Sequence, residues 1–367
     1  MTGLLIAACA IGAALASVMG SVVGCDRNVQ VPLSDRPTPT VIETSPKPQD
    51  SAFPLERAMR LRFDRYLNPS SVLRQSVLVT PGIFESDAGE LVGPVMGFEP
   101  VYDPYDRIVV YQLLARVRWT PATLHLVQLQ VPRDMYDIVG FRAFDGAPMD
   151  EVVSFSFMSG NSVSDPDNDT DDVLQRVRYC EEDDGSAKLP AVATVLNASC
   201  AKAGCHATPA SSSSASYPPV LGMDLSSPAA VKRTAIRVVA RQTMRGSSVS
   251  ALSSSPPRFG DDMPRLDPTN AGNSYVVYKL LVNPANHPGG GGQPDVDPTD
   301  ADPAEGPDPW LGGLTPIDGP PVDEISRLRS WFVTGEPMPL TGHLSPSEMR
   351  SIVRWILQGA NMPECGL

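Results

Sequence analysis

The side chains of this 367-residue chain best equipped for chemistry are six cysteines and four histidines. Cys200-Ala201-Lys202-Ala203-Gly204-Cys205-His206 sets two thiols and an imidazole side by side, while Cys180 and Cys365 flank this stretch and Cys9 and Cys25 lie near the start. Three chemistries suit such a set. Cys200 and Cys205 can oxidise to a local disulfide. With Cys180 and His206 they can make a Cys3His zinc site, although adjacent Cys205 and His206 would have to reach one small ion with every ligand deprotonated. In the third, each thiol becomes a thioether to a prosthetic group whose metal the neighbouring imidazole ligates.

The terminal Cys205-His206 pair is shared with haem c attachment sites, which it resembles with four rather than two residues between the cysteines. The resemblance implies that Cys200 and Cys205 hold the haem and that His206 is the proximal iron ligand. Val192, Val195 and Leu196 fall on one face of a helix expected over 191–199, so the cysteines emerge from a helix end. Further on, Ser345-Pro346-Ser347-Glu348 is a capping box with proline at the first helical position, followed by Met349, Ile352, Val353, Ile356 and Leu357 on one face and a stop at Gly359. An internal repeat surrounds this helix. Glu324-Ile325, Leu328, Trp331 and Gly335 recur as Glu348-Met349, Ile352, Trp355 and Gly359, and each copy ends in Met-Pro, at Met338 and Met362.

Residues from about Asp172 to Met362 resemble a cytochrome-c-like module of extracytoplasmic bacterial lipoproteins, also through Gly222-Met223-Asp224-Leu225-Ser226 and Ser274-Tyr275-Val276-Val277-Tyr278-Lys279-Leu280. That likeness implies one covalent haem c. A thioether sulfur opposite histidine favours ferrous iron, and Met338 is the expected sixth ligand because the ligand methionine of small cytochromes c precedes the last helix. Met362, Met263 and His343 are the alternatives, and Cys180 with Cys365 is the implied disulfide. A relic fold without haem fits the same residues.

Leu4 to Gly24 carry no charge and end in Val22-Val23-Gly24-Cys25, which resembles the lipobox of bacterial lipoproteins. The resemblance implies a signal peptide over 1–24, lipid on Cys25, a membrane partner reached through that anchor, and a place in the bacterial cell envelope, on the periplasmic or cell-surface side. An uncleaved single span is the alternative. Residues 25–51 are polar and proline-studded, as in Pro37-Thr38-Pro39-Thr40, and read as a tether.

Period-two alternation marks strands at Met59-Leu61-Phe63, Val127-Leu129-Val131 and Val153-Phe155-Phe157, with further runs at Val77-Leu78-Val79 and Ile108-Val109-Val110-Tyr111. Turn signals between them predict an antiparallel sandwich over 52–159. Phe63-Asp64, the stretch Tyr136 to Gly140 and Ser154-Phe155-Ser156-Phe157 resemble bacterial Ig-like domains of the surface-layer type. His125, between Leu124 and Leu126, is expected on the solvent face. Residues 160–172 read as an acidic linker: Asp165, Asp167 and Asp169 imitate a calcium loop, but Thr170 stands where glycine should turn the chain and Arg176 where a bidentate Glu should close the shell. The fold class is therefore multidomain, an all-β Ig-like sandwich followed by a mainly α, cytochrome-c-like domain over 173–367 with Ser/Pro and acidic insertions.

Lys and Arg number 29 against 42 Asp and Glu, a net charge of −13 that excludes a nucleic-acid footprint and favours a basic redox partner. Thirty-eight prolines exclude long helices as the main architecture. No Gly-x-Ser-x-Gly elbow, His-Glu-x-x-His pair or phosphate loop appears. The expected function is single-electron transfer by a membrane-anchored c-type haem protein, a carrier more than an enzyme, whose redox partner the sequence does not name. A noncatalytic surface or adhesion lipoprotein and a haem peroxidase-like enzyme are the alternatives.

Overall fold

A computed structural model describes residues 36–81, 97–114, 117–134, 137–162, 177–180, 189–202, 204–207, 218–243, 262–288, 309–316, 319–331, 333 and 335–363. The signal segment with Cys25, the acidic stretches 165–172 and 295–308, and Cys365 lie outside them.

Among the described residues, seven strands form two antiparallel sheets. Strands β1 (Val41–Ser45), β2 (Met59–Phe63), β4 (Phe98–Asp103) and β5 (Ile108–Leu113) make one sheet in the order β1-β2-β5-β4, and β3 (Val77–Pro81), β6 (Leu124–Leu129) and β7 (Ser154–Met158) make the other in the order β3-β6-β7. Strand β1 falls inside the stretch expected as tether; Val41 pairs with Phe63 and Thr44 with Leu61, so that part of the chain is an edge strand. Its β-branched Val41, Ile42 and Thr44 suit a pleated, half-buried edge.

The alternating residues face each other as their period requires. Met59, Leu61, Phe63, Val109 and Tyr111 meet Val127, Leu129, Phe155 and Phe157 in the sandwich core, with Trp119 among them. His125 is a correction: it is fully buried, stacked on Phe157 at 5.0 Å and edge-on to Trp119. Its parity along β6 is that of Val127 and Leu129, so the strand's pleat turns it inward while Leu124 and Leu126 are only half-buried.

The other face of the four-stranded sheet is not solvated. Ile108 and Val110 of β5 belong to a second core, shared with Tyr66, Tyr105 and Phe144 from the sandwich region and with the helices that follow. Those helices are α1 (Val192–Ser199), α2 (Pro228–Thr234), α3 (Tyr275–Leu281), α4 (Val322–Trp331) and α5 (Pro346–Leu357). The capping box expected at Ser345 is present, the Ser345 hydroxyl accepting from Glu348 N–H and the Glu348 carboxylate accepting from Ser345 N–H. The repeat is also visible in the backbone: Gly335 and Gly359, its matched last residues, both hold positive φ (75° and 94°), a conformation that favours glycine. The matched glutamates diverge, since Glu348 caps a helix while Glu324 is buried in an ion pair. Arg36–Leu367 form one compact unit.

Charged side chains line the sheet-to-helix junction and are paired there. Arg65 bridges Asp145 (2.8 Å) and Glu324 (3.0 Å), Arg350 grips Asp106 through Nε and Nη2 at 3.2 and 3.1 Å, and Arg60 Nε donates to the Trp310 carbonyl at 2.8 Å. Asp103 accepts from Trp310 Nε1 at 2.9 Å and from the backbone N–H groups of Tyr105 and Asp106. Burial, with the Asp106 charge nearby, pushes its carboxyl up to about 7. A carboxyl raised this far above its unfolded value resists ionising in the folded state. Its own contribution to stability therefore falls as pH rises from about 4 to about 7. Asp103→Asn, which keeps an acceptor for the Tyr105 and Asp106 N–H groups, is expected to gain stability relative to the parent protein as pH rises across this range, read as the difference between their thermal melts.

Candidate functional site

Helix α1 buries Val192, Val195 and Leu196, the face its spacing predicts, and ends where Cys200 N–H donates to the Leu196 carbonyl at 2.8 Å. The chain then folds back on itself. Cys205 N–H donates to Lys202 O (2.9 Å) and His206 N–H to Cys200 O (3.3 Å), with Gly204 at φ 82°. These backbone bonds turn the chain so that Cys200, Cys205 and His206 line the same cavity.

A second loop fastens onto the first. Val220 N–H donates to Cys205 O at 2.8 Å and Leu225 N–H to His206 O at 2.7 Å. Between these two clamps the Met223 carbonyl lies 3.2 Å from His206 Nδ1. A carbonyl only accepts, so Nδ1 carries the proton and Nε2 keeps its lone pair. Among the described residues Nε2 has no hydrogen-bond partner. His206 is 9% exposed, and burial lowers its pKa, which keeps the ring neutral and able to ligate a metal.

Cys200, Cys205, His206 and Met338 all line one cavity of about 1310 Å³, its open mouth included. Its remaining wall is mostly apolar, with Leu196, Leu280 and Ile352 among the contributors. The other expected ligands lie elsewhere: Met263 is in the core, Met362 packs against the core away from the cavity, and His343 is on the surface. Met223 also reaches the wall, as the neighbour whose carbonyl holds the His206 ring. Met338 is held by groups the sequence pattern does not reveal. Its N–H donates to Lys279 O at 3.2 Å, and its carbonyl accepts from Asn286 Nδ2 at 3.0 Å. Asn286, fully buried, also accepts from Leu344 N–H at 2.8 Å, tying both ends of the 338–344 segment. The one signal for Asn286 is its place in the Asn283-Pro284 turn.

Cys200 and Cys205 are free thiols, so the local disulfide is not formed. Burial, with Cys205 adjacent, pushes the Cys200 thiol up to about 11. Cys180 is disulfide-bonded and so cannot complete a Cys3His set. Among the described residues no group of three or more His, Cys, Asp or Glu side chains is placed to hold a metal ion. The Cys180 sulfur lies 3.6 Å from the carbonyl of Pro363, two residues before Cys365 in the chain. Lys202, Arg241, Arg265 and Lys279 line the cavity against one carboxylate, Glu336, so its wall is cationic in a chain of net charge −13.

No protein-family model matches the chain, and no curated protein matches it in sequence. Among solved structures, the selenomethionine form of PcoC, a copper resistance protein from Escherichia coli, aligns with 33% of this chain and 98% of its own at 12% identity and a TM-score of 0.23. The S-layer protein rSbsC(31-844) aligns over 35% of this chain and 14% of its own, at 12% identity and 0.24. CopC from Methylosinus trichosporium OB3b aligns over 33% and 93%, at 11% identity and 0.20. Scores this low carry neither a shared fold nor a shared ligand. The class defined by the coordinates is a two-sheet antiparallel β-sandwich joined to a helical part that encloses the cavity. Among the described residues no helix is long and apolar enough to cross a membrane.

Asn286→Ala would leave Leu344 N–H and the Leu280 carbonyl without their side-chain partner, and the Met338 carbonyl with only Asn283 Nδ2 at 3.4 Å. The expected cost is about 3 kcal/mol in denaturant unfolding.

Proposed function

We propose that the cavity is a haem c site and that the protein is a lipid-anchored, extracytoplasmic carrier of single electrons. One observation carries the reading: two free thiols, a neutral histidine with Nε2 available and Met338 line the same cavity, although Met338 is far from the other three in the chain. On this reading the helical part is a cytochrome-c-like module and the sandwich an Ig-like one, with Cys25 as the lipid site and Cys365 as the partner of Cys180.

The residues present fit the group. Each thiol would add its sulfur to one carbon of a vinyl group and its proton to the other, so nothing leaves and no oxidant is consumed. The protonated state of Cys200 suits that addition. His206 Nε2 would ligate the iron, with the ring held by Met223 O, and Met338 would supply the sixth ligand. Haem bound in this way supplies a one-electron ferric/ferrous couple. With His206 and Met338 both held as ligands, the metal would offer substrate no open site, which favours electron transfer over turnover. The cationic wall complements the carboxylates of a porphyrin.

The test is expression with haem-maturation machinery, followed by visible spectroscopy and intact mass. The expected product is coloured and low-spin, heavier by one haem, and uncoloured in the Cys200→Ser, Cys205→Ser double variant. Of Met223→Ala, Met338→Ala and Met362→Ala, only Met338→Ala is expected to change the axial-ligand signature. A colourless product with both thiols free would overturn the reading and leave a noncatalytic surface protein. A high-spin spectrum with peroxide turnover would instead make it a peroxidase-like enzyme.

A further inference from the structure

The loop that holds His206 has an unusual backbone. Leu221 sits at φ 53° and ψ 21°, and Gly222 at φ 68°, consecutive left-handed residues of which the first carries a side chain that disfavours it. Their carbonyls turn toward Arg265. Its Nη2 donates to Leu221 O at 2.6 Å, and its Nη1 donates to Gly222 O at 3.1 Å and to Thr234 O, the last residue of α2, at 2.6 Å. The fork of one guanidinium therefore joins the strained loop to a helix end. The same helix end holds the loop's far side, where Thr234 Oγ1 bonds both the N–H and the carbonyl of Asp224 at 2.9 Å. Arg265 is 6% exposed, lines the cavity and has no ion-pair partner among the described residues.

We infer that Arg265 is the positioning residue for His206. It holds Leu221 and Gly222 so that the Met223 carbonyl meets Nδ1, and it places a positive charge, without an ion-pair partner among the described residues, on the wall the imidazole shares. The second half of this inference rests on the haem reading; the first does not. A fixed cation near the iron disfavours the more positive ferric state, so Arg265 raises the reduction potential.

Two variants separate the roles. Arg265→Gln removes the charge and the fork, whereas Arg265→Lys keeps the charge and loses the fork. In haem-free protein, hydrogen exchange at the Val220 and Leu225 amides is expected to speed at least tenfold in both variants, with exchange in β5 and β6 unchanged. The His206 ring nitrogens, read by 15N NMR, are expected to lose their single tautomer. In haem-loaded protein, Arg265→Gln is expected to shift the couple toward ferric by about tenfold, about 59 mV for one electron, while Arg265→Lys retains most of the potential. Unchanged amide exchange and an unchanged tautomer in both variants would overturn the positioning role. An equal potential in Arg265→Gln would overturn the charge role. Protein that takes up no haem would end the haem reading, while the exchange and tautomer results still decide the positioning role.

Discussion

The structure depends on a single sheet that must bury both of its faces. In β5, Val109 and Tyr111 point into the sandwich core while Ile108 and Val110 point into the helical core. Strand β2 follows it in register: Leu61 pairs with Val109 on one face, and Arg60 and Arg62 pair with Val110 and Ile108 on the other. Two guanidinium groups therefore lie in a closed interior, which water cannot satisfy. The Trp310 carbonyl and the Glu43 carboxylate satisfy them in part, and Arg65, Asp145, Glu324, Arg350 and Asp106 extend the same pairing along the junction. Breaking such a pair strands a buried charge, at a cost of about 3–5 kcal/mol. The sandwich is thus one wall of the helical core, and β5 supplies side chains to both cores.

That shared wall bears on the cavity through its surroundings. Asn286, whose side chain ties Met338 to Leu344, offers its own backbone carbonyl to Tyr105 of the sandwich at 3.3 Å, and the next residue, His287, stacks on the Tyr105 ring. Burial and the Leu281 carbonyl, with which its Nε2 is hydrogen-bonded, define the place of His287; burial lowers its pKa to about 4, so it stays neutral and adds no charge to the junction. On the opposite side of the cavity a few carbonyls and one arginine do the fastening. Both sides are held by backbone groups, which leaves the side chains of His206 and Met338 available to a ligand.

Much of the fold was legible. The period-two runs form the expected strands, the helix before Cys200 buries the expected face, and the capping box at Ser345 is built as its residue types dictate. Two readings went astray for one reason. His125 read as exposed and Val41–Ser45 as tether, because pattern gives the alternation of a strand but not what covers each face. Arg265 and Asn286 left no pattern at all, since their partners are backbone carbonyls and amides contributed by other segments.

Amino-acid order alone determined the local features of this protein: strand and helix type, the closeness of two thiols to an imidazole, the repeat and its two Met-Pro endings. These follow from covalent spacing and from preferences felt within a few residues. Tertiary structure decided that Met338 but neither Met263 nor Met362 lines a cavity with His206, which nitrogen of that ring stays open, and which charges lie buried. Those outcomes depend on contacts between segments distant in the chain, where shape and the need to satisfy every buried polar group select among residues of the same type.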